Sequence, residues 1–213
     1  MITVKRFTFN ALQENTYVLY DETKECVIID PGCYDKQEQN ELAAFIENNA
    51  LKPVHLLNTH CHVDHVLGNY FVADKYNLTV ETSSVEEAQL QSVKAYAPIY
   101  GFTQYSPIET VKHIEAGQKI LFGQSELEIL SVPGHSPGHL AFWDKKQGIC
   151  LAGDVLFQGS IGRADLHGGN YPTLEKSIRE VMYAMPNETI VYPGHGPETT
   201  IGHEKKYNPF VRE

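Results

Sequence analysis

Residues Thr59-His60-Cys61-His62-Val63-Asp64-His65 place three imidazoles and one carboxylate within six consecutive positions. Neutral imidazole and carboxylate together are donors that suit zinc or iron. The stretch follows an apolar run, Pro53-Val54-His55-Leu56-Leu57, that reads as a buried strand. Side chains of extended chain repeat every two residues, so His60 and His62 share a face and Cys61 points the other way. Asp64 and His65 then fall at the turn into the next helix. The pattern predicts a metal site, with Cys61 packed in the core beside it.

More donors stand where other apolar runs stop. Glu126 to Val132 ends at Pro133-Gly134-His135, Gly148 to Ala152 at Gly153-Asp154, and Thr189 to Tyr192 at Pro193-Gly194-His195-Gly196. Glycine at these places permits tight turns and close backbone approach. Cys26-Val27-Ile28-Ile29-Asp30 ends at Pro31-Gly32, where open α/β sheets place their sites. Asp30 is therefore either a turn former or a residue that holds a ligand or loop at the metal. His139 reads as core or as support for a ligand. His55, His113, His167 and His203 read as surface or structural.

The elements that must position these groups follow from periodicity. Strands are expected at 2–9, 15–20, 26–30 and 53–57, then at 78–80, 111–114, 119–122, 126–132, 140–143, 148–152 and finally 189–192. Leu42, Phe45 and Ile46 mark an amphipathic helix over 37–49. Further helices are expected at 65–76, after Ser83 or Ser84, and at 173–184. Residues 96–108, dense in Tyr, Pro and Gly, read as a loop that is either packed on itself or a wall of the site. Residues 158–171 read as a second loop.

Composition narrows the class. A chain of 213 residues with 42% hydrophobic and 21% charged residues suits one soluble globular domain. No apolar run approaches the roughly 20 residues that span a bilayer, so no membrane partner is expected. Met1-Ile2-Thr3-Val4-Lys5-Arg6-Phe7 alternates like a strand and lacks a secretory signal, which points to the cytoplasm. Cys26, Cys33, Cys61 and Cys150 form no CxxC pair and read as reduced, buried thiols. The net charge of -10 argues against nucleic acid.

The ordered motifs HxHxDH at 60–65, GH at 134–135, GD at 153–154 and PGHG at 193–196 resemble those of the metallo-β-lactamase superfamily along essentially the whole chain. Gly153-Asp154-Val155-Leu156-Phe157, Gly159-Ser160-Ile161-Gly162-Arg163 and Asn208-Pro209-Phe210 are most similar to its small glyoxalase II-like branch. The resemblance implies an α/β, four-layer αββα sandwich, as a single domain over 1–213 without the C-terminal helical domain that binds glutathione. It implies two divalent metal ions, zinc foremost, with iron or manganese as alternatives. His60, His62 and His135 would hold the first, Asp64, His65 and His195 the second, and Asp154 would bridge. Metals roughly 3.5–4 Å apart would supply a bridging hydroxide for attack on a carbonyl. Asp64 and Asp154 are the expected catalytic carboxylates, Asp64 orienting the water.

The implied reaction is hydrolysis of a small anionic thioester, as in hydroxyacylglutathione hydrolases. Arg163 is either the anchor for an anionic substrate group or the partner of Asp165 in an ion pair. A second reading is an oxidoreductase, because persulfide dioxygenases resemble the same branch and hold one iron through the equivalents of His60, His135 and Asp154. A third is a metal-dependent binding module without turnover.

Overall fold

The structure, a computed structural model, describes residues 1–212. The chain divides into two compact units, the first made of Met1–Ile114 with Leu121–Ser125, the second of Glu115–Ile120 with the chain from Glu126 on. Each carries a six-stranded sheet and its own helices.

In the first unit, β1 (Thr3–Phe9), β2 (Glu14–Tyr20) and β3 (Glu25–Ile29) form an antiparallel meander, and β4 (Lys52–Leu57), β5 (Val80–Thr82) and β6 (Val111–His113) extend it in parallel. Parallel strands need a crossover, and α1 (Lys36–Asn48) supplies it between β3 and β4. Asp35 starts that helix by accepting from the backbone N–H groups of Gln37 and Glu38, while Glu38 reaches back to Asp35. Leu42 and Ile46 bury the helix's apolar face in a core shared with Phe7, Val18, Ile28 and Leu56. Because Ile29 pairs with Leu57, both strands end level, and Asp30 N–H donates to Leu57 O at 2.9 Å. Asp30 is thereby delivered beside Asn58 and Thr59.

In the second sheet, β7 (Lys119–Phe122) lies at one edge, followed by β8 (Ser125–Ser131), β9 (Leu140–Asp144), β10 (Ile149–Gly153), β13 (Ile190–Pro193) and β14 (Thr199–Thr200). Strands β8 and β10 both run antiparallel to β9, and β13 runs parallel to β10. The carboxyl ends of β8, β10 and β13 therefore lie at one edge, which is where His135, Asp154 and His195 leave the sheet. A two-stranded hairpin, β11 (Leu156–Phe157) with β12 (Ser160–Ile161), follows Asp154 directly. Helix α5 (Tyr171–Ser177) continues as a π-helical turn over Ile178–Met182, and α6 (Ile201–Tyr207) begins at the N-cap Thr200.

Several boundaries differ from the sequence reading. The single helix expected at 65–76 is two, α2 (Val63–Val66) and α3 (Asn69–Tyr76). The break falls at Gly68, whose N–H donates to Pro31 O at 2.7 Å, and where a Cβ would lie 2.4 Å from Cys33 Sγ. The strand expected at 78–80 runs from Val80 to Thr82, and α4 (Glu87–Tyr96) follows a 3-10 turn capped by Ser83. The segment read as a loop at 158–171 contains the whole of β12 and the first residue of α5, and 189–192 is not the last strand, since β14 and α6 follow. Within 96–108, Ala97–Tyr100 forms a 3-10 turn, and Phe102 is buried edge-on against Tyr34 with ring centroids 5.0 Å apart. Ala97 and Phe102 pack into a cluster with Val63, Val66 and Leu90, leaving Ile99 and Tyr100 exposed. No helix of the described residues is long and apolar enough to cross a membrane.

Candidate metal centre

Each unit gathers donor groups at the carboxyl edge of its sheet. In the first, His60 and His65 are fully buried, their ring centroids 4.1 Å apart, and the His62 ring lies edge-on to His60 at 4.7 Å. Helix α2 begins at Val63, so Asp64 and His65 ride its first turn. Asp30, His60 and His65 could also form a ligand set, each offering an atom within 4.8 Å of the others. The Asp30 carboxylate, however, already accepts from Thr59 N–H at 2.7 Å and Thr59 Oγ1 at 2.6 Å. Its Oδ2 also lies 3.1 Å from His65 Nδ1. A proton on that nitrogen leaves His65 Nε2 as the ligand atom, an orientation that carboxylates commonly impose on metal-binding imidazoles. Of the two roles open to Asp30 in the sequence, it takes the holding one.

Backbone around the stretch is held as firmly. Asn10 Nδ2 donates to Asp64 O at 3.1 Å and to Gly32 O at 3.0 Å. Asn58 Nδ2 donates to His65 O at 3.1 Å, and Asn69 Nδ2 supports Asn58 at 2.8 Å. Cys61 N–H donates to the buried Glu86 carboxylate at 2.9 Å. The Cys61 side chain packs among Val63, Val66 and Leu90, and burial pushes its thiol well above the ordinary range. A thiol held in its neutral form is a poor ligand, so Cys61 packs in the core as its alternation implied.

Two buried acids escaped the sequence reading. Glu14 opens β2 with its Oε1 3.9 Å from His65 Nδ1, and burial raises its carboxyl well above the usual range despite the opposing pull of His65. Glu86 reads in sequence as an acid placed near the N-terminal dipole of the helix after Ser83 or Ser84, and is fully buried. Acids seldom bury without partners, so composition alone carried no signal for either. In Glu14 the only hint is a charged residue at the head of a strand whose later residues, Tyr17 to Leu19, are apolar or aromatic.

In the second unit, Asp154 Oδ2 lies 3.4 Å from His135 Nε2 and 3.6 Å from His195 Nε2. Both separations exceed an ordinary hydrogen bond, and two imidazole nitrogens grouped around one carboxylate oxygen match the donor chemistry of a divalent ion. His135 Nδ1 donates to Arg163 O at 2.7 Å. A carbonyl can only accept, so the proton sits on Nδ1 and Nε2 is the nitrogen turned toward Asp154. Strand register brings Asp154 and His195 out side by side, with Gly194 N–H donating to Gly153 O at 2.8 Å. His139 is fully buried, and its Nε2 accepts from Asp154 N–H at 3.1 Å. Gly162 presses so closely that a Cβ there would lie 1.8 Å from Asp154 O and 3.2 Å from His135 Nδ1.

Arg163 divides its roles. Its carbonyl orients His135, while its guanidinium makes a bidentate, exposed pair with Asp165, both contacts at 3.0 Å. His55 bridges Glu81 and Leu121 O, and His113 meets Glu87, so both are structural, as read.

Residues 9–195 match the metallo-beta-lactamase superfamily. The chain belongs to that superfamily of metal-dependent enzymes. It is 36% identical over 212 residues to "Probable metallo-hydrolase YqgX" of Bacillus subtilis (strain 168), covering 97% of this chain and 96% of that protein. It is 34% identical over 203 residues to "Hydroxyacylglutathione hydrolase GloC" of Haemophilus influenzae (strain ATCC 51907 / DSM 11121 / KW20 / Rd), covering 94% of each. Among solved structures it superposes on BLEG-1, a B3 metallo-beta-lactamase, with a TM-score of 0.87 and 34% identity, over 99% of this chain and 100% of that one. A di-iron-bound form of TTHA1623 gives 0.87 and 36%, over 98% and 100%. The fold expected from the motifs is thus the metallo-β-lactamase fold, and its donors are His and Asp groups that could bind divalent metal.

Proposed function

We propose that this chain is a cytoplasmic metallohydrolase that cleaves small anionic thioesters of the hydroxyacylglutathione type. The observation that carries it is the pair of oriented imidazoles, His65 set through Nδ1 by Asp30 and His135 set through Nδ1 by the Arg163 carbonyl. The near full-length likeness to a hydroxyacylglutathione hydrolase supports the substrate class. His60, His62 and His135 would hold one ion and Asp64, His65 and His195 another, with Asp154 serving both. When bound, divalent ions of the zinc, iron or manganese kind lower the pKa of water to near neutrality and polarise a carbonyl.

The chain's own residues do the rest. Asp64, on the first turn of α2 with its carbonyl tied to Asn10, would orient a water. Asp154 contributes its carboxylate at a fixed direction because His139 holds its backbone N–H. Arg163 can take a substrate carboxylate by exchanging Asp165, since a solvated ion pair is held only weakly.

Metal quantification on the isolated protein, beside thiol release from S-lactoylglutathione, tests this reading. His135→Ala and Asp154→Ala should each lose metal and thioester turnover together. One iron per chain with oxygen uptake on glutathione persulfide, and no thioester cleavage, would replace it with the oxidoreductase reading. Full metal occupancy without any turnover would leave a binding module.

A further inference from the structure

The β11–β12 hairpin, with Gly162 and Arg163 just after it, touches His135, Asp154 and His195. It leaves the sheet at Asp154; Gly162, just past it, packs on Asp154 O and His135; Arg163 O accepts the hydrogen bond from His135 Nδ1. Phe157 meets the His195 ring edge-on, centroids 6.2 Å apart. Two residues per strand make a feeble hairpin, since such ribbons are marginal without outside support. The support is at its tip, and it comes from α6.

Glu204, fully buried, accepts from Gly159 N–H at 2.9 Å and from Asn208 Nδ2 at 2.8 Å through Oε2, and from Thr199 Oγ1 at 2.5 Å through Oε1. Asn208, also fully buried, donates to Ser160 O at 3.0 Å. Gly159 has φ +65, a turn conformation that an L side chain disfavours. The hairpin is therefore gripped at Gly159 and Ser160 by side chains that touch no donor themselves.

We propose that Glu204, with Asn208, is a positioning residue for the metal centre: it fixes the hairpin whose far end orients His135 and bears on Asp154 and His195. The inference rests on the metal-binding reading above. Removing the carboxylate frees the tip, loosens the Arg163 carbonyl from His135 Nδ1 and lets the imidazole rotate off its ligand direction. Loss of such outer support typically weakens metal binding by about 10–100-fold.

The test is zinc affinity of the metal-free protein, measured by competition with a chromophoric chelator, for wild type, Glu204→Ala, Glu204→Gln and Asn208→Ala. Leu42→Ala, in the core of the first unit, controls for lost stability. Glu204→Ala should weaken zinc by about 10–100-fold and abolish the slowly exchanging Nδ1–H resonance of His135 in the metal-free protein. Glu204→Gln should recover most of both, because its amide oxygen can still accept from Gly159 while the Thr199 hydroxyl turns to accept from the amide. Unchanged affinity and an unchanged His135 resonance in the Glu204 variants, or an equal loss of affinity in Leu42→Ala, would overturn the proposal. If Glu204→Ala does not fold, Asn208→Ala decides: it should weaken zinc measurably, and wild-type affinity there would overturn it. A wild-type protein that binds no zinc, iron or manganese would instead bring down the metal reading itself, and this inference with it.

Discussion

Asp30 Oδ2, just past the end of β3, and His65 Nδ1, on the short helix α2 after β4, stand 3.1 Å apart. The carboxylate also takes the Thr59 N–H and hydroxyl, so one side chain sets both the imidazole and the backbone just ahead of it.

Asp30→Asn should therefore weaken zinc by about 10–100-fold without removing any ligand. The amide keeps an acceptor for Thr59 but loses charge and offers an N–H group where acceptors are needed. Chelator competition on the metal-free variant reads this directly, and wild-type affinity would show that His65 needs no such support.

His139→Phe should leave the Asp154 N–H without its acceptor in a fully buried setting. An orphaned buried donor costs about 1–3 kcal/mol. Urea unfolding should show that loss, and metal content should fall with it because Asp154 is no longer held.

Cys61→Ala should leave metal stoichiometry at the wild-type value, since the thiol faces Val63, Val66 and Leu90 and is held neutral. The lost packing should cost about 1 kcal/mol. A metal missing from this variant would make Cys61 a ligand.

Asp21 supplies a pH dependence remote from the metal. Burial opposes its ionisation, but bonds from Thr23 Oγ1, Gln124 N–H, Thr23 N–H and Ser125 Oγ outweigh that and bring its carboxyl down to about 2. A depressed acid stabilises the fold above its unfolded pKa of about 3.9, and that contribution is lost as pH falls from about 4 to 2. Asp21→Asn should be less stable than wild type by about 1 kcal/mol at neutral pH, and the two should converge near pH 2 in acid denaturation.

How much of this was readable in sequence depends on distance along the chain. His60, His62, Asp64 and His65 announce themselves because their spacing is local and their types are rare together. His135, Asp154 and His195 were legible because each ends an apolar run beside glycine. Their common edge is set by strand register, which sequence patterns mark only as strand ends. The hairpin at Leu156–Ile161 has two-residue strands, too short for any period to register. Glu204 looks like a solvated helix residue, and its partner Gly159 is 45 residues away. The break at Gly68 escaped because it answers a close approach from Pro31, not anything in the helix's own pattern.

The parallel pairing of β3 with β4 and of β10 with β13 also governs the order in which the chain can fold. Parallel neighbours cannot zip from a tight turn; each pair waits for a long crossover to close, with its loop entropy already spent. A chain still unfolded offers only the His60–His65 cluster as a ready chelate. Asp30 reaches His65 once α1 has packed, and Asp154 reaches His195 once the 36 residues between β10 and β13 have been threaded through the hairpin and α5. Assembly of these donor groups is therefore a late event, coupled to completion of the sheets.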